Sequence, residues 1–100
     1  MNVYISGRIT GLSFDEVEQM FDKAEKRLTD TGFTPVNPLK NGLSRSSTWE
    51  EHMKRDIAML LECDAIYILS NWKESRGAAL ERHIAKELGL MIIEQMNAAE

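Results

Sequence analysis

The chain has 100 residues, 43% of them hydrophobic and 28% charged, enough for one domain, residues 1–100, with a packed core and no more. Its net charge of −4 excludes a general polyanion-binding face, and its single cysteine, Cys63, excludes an internal disulfide. With no basic-then-apolar leader and no apolar run of membrane-spanning length, the expectation is a cytoplasmic protein that engages neither polymeric nucleic acid nor a membrane.

Val3–Ile5 reads as a first strand, stopped by Ser6 and Gly7. Apolar residues at Phe14, Val17, Phe21, Ala24 and Leu28 follow helical spacing. Ser13 with Glu16 makes a capping box before that helix, and Gly32 ends it. Phe33–Val36 is a second strand, and Pro35, which has no N–H to donate, assigns it to a sheet edge. Residues 37–47 are a polar loop, long enough to be either mobile or functional. Thr48 caps a helix to about Glu62, with Trp49, Met53, Ile57, Leu60 and Leu61 expected to face inward. Ala65–Leu69 is a continuous apolar run, as expected of a strand covered on both faces. Ser75 caps a third helix whose predicted buried face is Leu80, Ile84 and Leu88, and which Gly89 ends. Leu90–Ile93 is a fourth strand, and the tail from Gln95 is expected to fray.

Strands alternating with helices imply right-handed βαβ units and a parallel sheet. The predicted fold is therefore a three-layer α/β/α, Rossmann-like (flavodoxin-like) domain. Its four parallel strands are expected in the order 2-1-3-4. Such sheets bind ligands beyond the carboxyl ends of the strands, where the winding reverses. The loops "SGRITG" and "SNWKESRG" meet there.

Several side chains near that reversal carry chemistry, each with a plain alternative. Gly7 lets backbone approach a ligand, and Arg8 suits a phosphate or carboxylate; an ordinary turn with an exposed arginine fits the same residues. Ser75 to Gly77 opens a helix whose free amides favour an anion, and a plain N-cap reads the same way. Asp56 lies at the border of the inward face of the second helix and is positioned to look into a cleft. Tyr4 is either a core tyrosine or a partner of Glu81. Trp72, in a ligand-side loop, is a better base-stacking candidate than Trp49. Glu81 sits among Gly77, Ala78, Ile84 and Ala85, a stripe of small and apolar residues that a solvated glutamate does not need. His52 lacks companions at metal-ligand spacing, so no metal site and no cofactor are expected; His83 is expected to face solvent.

In order along the chain, "YISGRITG", "HMKRDIAMLLECDAIYIL" and "SRGAALERHIAKELG" resemble the nucleoside 2-deoxyribosyltransferase superfamily, in particular its small phage-and-bacterial branch of unknown function. The resemblance implies a glutamate nucleophile that attacks C1′ of a deoxyribose, with transfer of the sugar to a second base or to water. Glu81 matches that nucleophile, Tyr4 the tyrosine that orients it, and Asp56 the aspartate of the site. Ser75 matches a serine that binds the 5′-phosphate in hydrolase relatives, and Ser6, Gly7, Arg8, Trp72 and Gly77 are the further substrate-binding candidates. The implied partner is a nucleoside or nucleotide, and the implied assembly a homodimer or larger homo-oligomer. Two other functions fit the same residues: a nucleotide-binding module without chemistry, and an interaction protein without a small ligand.

Overall fold

Alternation along β1 (Asn2–Ser6) sets the layers of the fold. Val3 and Ile5 point to one side of the sheet, where they join Val17, Phe21, Ala24 and Leu28 of α1 (Phe14–Asp30). Tyr4 points to the other side and joins Leu60, Ile66, Ile68 and Ala85. Those residues belong to α2 (Trp49–Leu61), β3 (Ala65–Ile68) and α3 (Arg76–Glu87). The remaining strands are β2 (Thr34–Val36) and β4 (Met91–Glu94). All pairings are parallel, in the order β2-β1-β3-β4. The predicted fold class, strand order and edge position of Pro35 all hold. The computed structural model describes residues 1–96.

Local signals explain the element ends. Ser13 Oγ accepts from Glu16 N–H, Thr48 and Glu51 form a reciprocal capping box, and Ser75 Oγ accepts from Ala78 N–H. The long loop after β2 is not structureless. Asn37 caps a single 3₁₀ turn over Pro38–Lys40, and Asn37, Pro38 and Asn41 are buried. The expected fraying from Gln95 does not begin there. Its N–H donates to Ile68 O at 2.8 Å, and its Oε1 accepts from Ser70 N–H at 2.9 Å. The rest of that tail, residues 97–100, lies outside the described residues.

The predicted buried face of α3 is corrected by the structure. Leu80 and Leu88 are 39% and 58% exposed, and Ile84 is half-buried. The face that meets the sheet is Gly77, Ala78, Glu81 and Ala85. Small side chains bring the helix axis close to the strands, and the larger leucines would hold it off. Leu61, expected inward, is 54% exposed at the last residue of α2, while Asp56 is buried. His83 is exposed, as expected.

Gly7 sits in a close approach between the ends of the two central strands. A Cβ there would lie 2.5 Å from Leu69 Cδ1 and 2.8 Å from Leu69 Cβ. Leu69 is only 2% exposed and has nowhere to move. Gly7→Ala is therefore expected to cost about 2 kcal/mol of stability by overpacking. Urea unfolding with an unchanged midpoint would contradict that expectation.

Candidate functional site

Beyond the carboxyl end of β1 lies a cavity of about 420 Å³. Ile9, Leu12, Phe14, Val17, Phe21 and Leu39 line its apolar side, and Tyr4, Asn41, His52, Asp56, Ser75 and Glu81 its polar side. The β1–α1 loop, the loop after β2, and the starts of α2 and α3 all contribute.

Glu81 is the centre of the polar side and is 5% exposed. Tyr4 Oη donates to its Oε2 at 2.6 Å, and Ser6 Oγ donates to its Oε1 at 2.7 Å. Both donors come from the same face of β1, two residues apart, so a single strand grips both carboxylate oxygens. Burial pushes the Glu81 carboxyl up to about 7, against the pull of the two hydroxyls, and the charge of Asp56 adds to the rise. Burial, followed by the charges of Glu81 and Asp56, raises Tyr4 far above the phenol range, so Tyr4 remains a donor.

Asp56, also 5% exposed, is raised by burial, while the hydrogen bond from the Asn41 amide opposes the rise. Asn41 Nδ2 donates to Asp56 Oδ1 at 2.8 Å. Asp56 Oδ2 has no hydrogen bond among the described residues. Two carboxyls therefore line one hollow. One is held by two hydroxyls and the other by one amide. Such a pair suits nucleophilic attack by the first and proton delivery by the second.

Of the residues singled out from sequence, Tyr4, Gly7, Asp56, Ser75, Gly77 and Glu81 line the cavity. Ser6 lies behind the wall, 1% exposed, and acts on Glu81 rather than on the hollow. Arg8 is turned aside: its Nε donates to Thr10 O at 3.1 Å, and its Nη1 pairs with Glu74 at 3.3 Å. Its backbone N–H donates to Asn71 Oδ1 at 3.0 Å, so the two loops do meet. Trp72 is not on the cavity wall either. The short turn after β3 folds it onto the α2/α3 core cluster, with the Arg82 guanidinium 4.6 Å from its ring centre. Trp49 lines the cavity in its place, under Arg76 at 4.1 Å. Gly77 has a second reason to be small: a Cβ there would meet Met53 Sδ at 3.0 Å and Trp49 Nε1 at 3.7 Å.

Sequence reasoning did not single out Asn41, Arg45 or the apolar wall. Arg45 stacks over Phe14, 3.7 Å from the ring centre, and joins the loop to the start of α1 at the cavity rim. Among the described residues no group of His, Cys, Asp and Glu side chains is arranged to hold a metal ion, and no helix is long and apolar enough to cross a membrane.

The fold is found in solved structures of 2-deoxyribosyltransferases. The Leishmania mexicana protein matches with a TM-score of 0.70 and 21% identity over 93% of this chain. This chain spans 62% of that protein's length. The Bacillus psychrosaccharolyticus protein matches with a TM-score of 0.68 and 20% identity, over 99% of this chain and 79% of its own. At these identities the likeness is one of fold. No curated protein matches the sequence. Residues 1–94 match the family described as "Domain of unknown function (DUF4406)", and the chain belongs to that family.

Proposed function

We propose that the protein cleaves the N-glycosidic bond of a 2′-deoxynucleoside or its 5′-monophosphate, with Glu81 as nucleophile. The observation that carries this reading is the Glu81 carboxyl itself. It is buried on the wall of a ligand-sized cavity and held at both oxygens by Tyr4 and Ser6, with Asp56 on the same wall. A carboxylate desolvated and aimed in this way is a competent nucleophile. It forms a bond to C1′ as the C1′–N bond breaks. The bonding pair leaves with the base nitrogen, which takes a proton from Asp56. The resulting glycosyl ester is then opened by water or by a second base, with net retention at C1′. The apolar wall of Phe14, Phe21 and Leu39 suits a flat base. The choice of deoxyribose rests on the sequence resemblance and on the fold shared with 2-deoxyribosyltransferases.

A 5′-phosphate has a fitting place. Ser75 and Gly77 at the N-terminus of α3 face the cavity, and Arg45 stands at its rim. We also read the chain as a cytoplasmic homo-oligomer. Exposed Leu61, Leu80 and Leu88 on neighbouring helices support a second copy covering them, and light scattering that finds only a monomer would contradict it.

The test is base release from a panel of deoxynucleosides and their 5′-monophosphates, with and without an acceptor base. Release that needs no acceptor identifies a hydrolase, and sugar exchange a transferase. Saturable binding without release above that of Glu81→Ala leaves a nucleotide-binding module and removes the chemistry.

A further inference from the structure

We infer that Asn41 is a positioning residue that dictates which oxygen of Asp56 faces the substrate, and that His52 holds Asn41 in that orientation. The inference rests on the glycosidase reading above and extends it to residues outside the acid pair.

The amide orientation follows from its partners. Asn41 is 6% exposed, and its Oδ1 accepts from the backbone N–H of Leu43 at 2.9 Å. A backbone N–H only donates, so the atom facing it is the oxygen. Asn41 Nδ2 therefore has two hydrogens to place, and it has two neighbours: Asp56 Oδ1 at 2.8 Å and His52 Nδ1 at 3.1 Å. His52 Nδ1 must then bear the lone pair, and the ring proton sits on Nε2. That nitrogen donates to Ser44 O at 3.0 Å. Arg55 Nε donates to Asn41 O at 3.2 Å and closes the loop onto α2. Every polar atom of the Asn41 side chain is used, and none can be exchanged without leaving donor against donor.

The consequence falls on Asp56. Its Oδ1 faces an N–H, so a proton on the carboxyl belongs on Oδ2, the oxygen without a protein partner on the cavity side. The departing base thus meets an O–H rather than a carbonyl oxygen. Once the proton is transferred, the new carboxylate already has a donor at Oδ1. The charged and titratable groups facing Asp56 are His52 and Arg55 from its own helix, Glu81 from α3 and Tyr4 from β1. Asn41 is the neutral group among them that is bonded to it.

Two readouts test this. The first needs no substrate: the side-chain nitrogen NMR spectrum of His52. It is expected to show a bare Nδ1 and a protonated Nε2, and in Asn41→Asp a protonated Nδ1. The second is kcat and KM against pH for the substrate found in the panel. Asn41→Ala is expected to lower kcat about 10²-fold with little change in KM, the size of a misplaced general acid. The pH limb that belongs to Asp56 should move upward, because the donor that favours its charged form is gone. His52→Leu should behave like Asn41→Ala, and His52→Asn, which returns an acceptor near the Nδ1 position, should recover most of that loss. An active wild type with Asn41→Ala at full kcat and an unmoved limb overturns the inference alone, as does a protonated His52 Nδ1 in the wild type. A wild type with no turnover on the whole panel removes the glycosidase reading, and this inference with it.

Discussion

Glu81→Gln is expected to eliminate turnover while making the folded chain more stable at pH 8. The catalytic loss follows from chemistry: an amide does not form the glycosyl ester, and losing a covalent nucleophile costs at least about 10³-fold. The stability gain follows from linkage. The folded state holds the Glu81 proton up to about pH 7, whereas the unfolded chain releases it near the ordinary value of 4.5. Between those values the folded state binds more protons, so its stability falls as pH rises. Above about 7 the full cost of a buried charge remains. At 1.36 kcal/mol per unit that cost is about 3 kcal/mol. Glutamine keeps the shape, leaves both hydroxyls with partners and removes the charge. Thermal melts should show the variant at least about 12 °C above the wild type at pH 8 and level with it at a pH below the ordinary value of 4.5. A variant less stable than the wild type at both pH values would mean that Glu81 is held for the fold rather than for chemistry.

Tyr4→Phe is expected to shift the titration of the Glu81 carboxyl itself. The Tyr4 bond favours the charged form of Glu81, whose proton the folded chain holds up to about pH 7. Removing it leaves the carboxyl protonated to higher pH, so its titration, followed by side-chain carboxyl NMR, should move up by about one unit. An unmoved titration would assign Tyr4 to orientation alone.

Much of this geometry was legible from short-range pattern. The lack of an N–H in Pro35 placed β2 at an edge, and the strand order followed from it. The small residues around Glu81 marked a carboxylate meant to be buried, and Asp56 at the border of its apolar face marked a second. The misreadings came where two patterns compete. Helix α3 carries two stripes at helical spacing, Leu80-Ile84-Leu88 and Gly77-Glu81-Ala85, and periodicity alone favours the larger side chains. Close packing against the sheet favoured the smaller ones. Trp72 and Arg8 had the right address, but a 3₁₀ turn and a nearby carboxylate redirected their side chains. Asn41 was illegible because its role depends on a fold within the loop, where Asn37 and Asn41 each accept from the backbone N–H two residues on. The Asn-Pro and Asn-Gly pairs of that loop signal turns, not the direction of an amide.

Having Tyr4 and Ser6 on alternate positions of β1 also protects the fold against an error. A parallel strand displaced by one residue keeps its ladder bonds but exchanges its faces. Here that slip would press both hydroxyls into the apolar layer under α1 and set Val3 and Ile5 against a buried acid. Each half of the exchange is unfavourable by itself, so the buried Glu81 carboxyl also proofreads the alignment of the central strand.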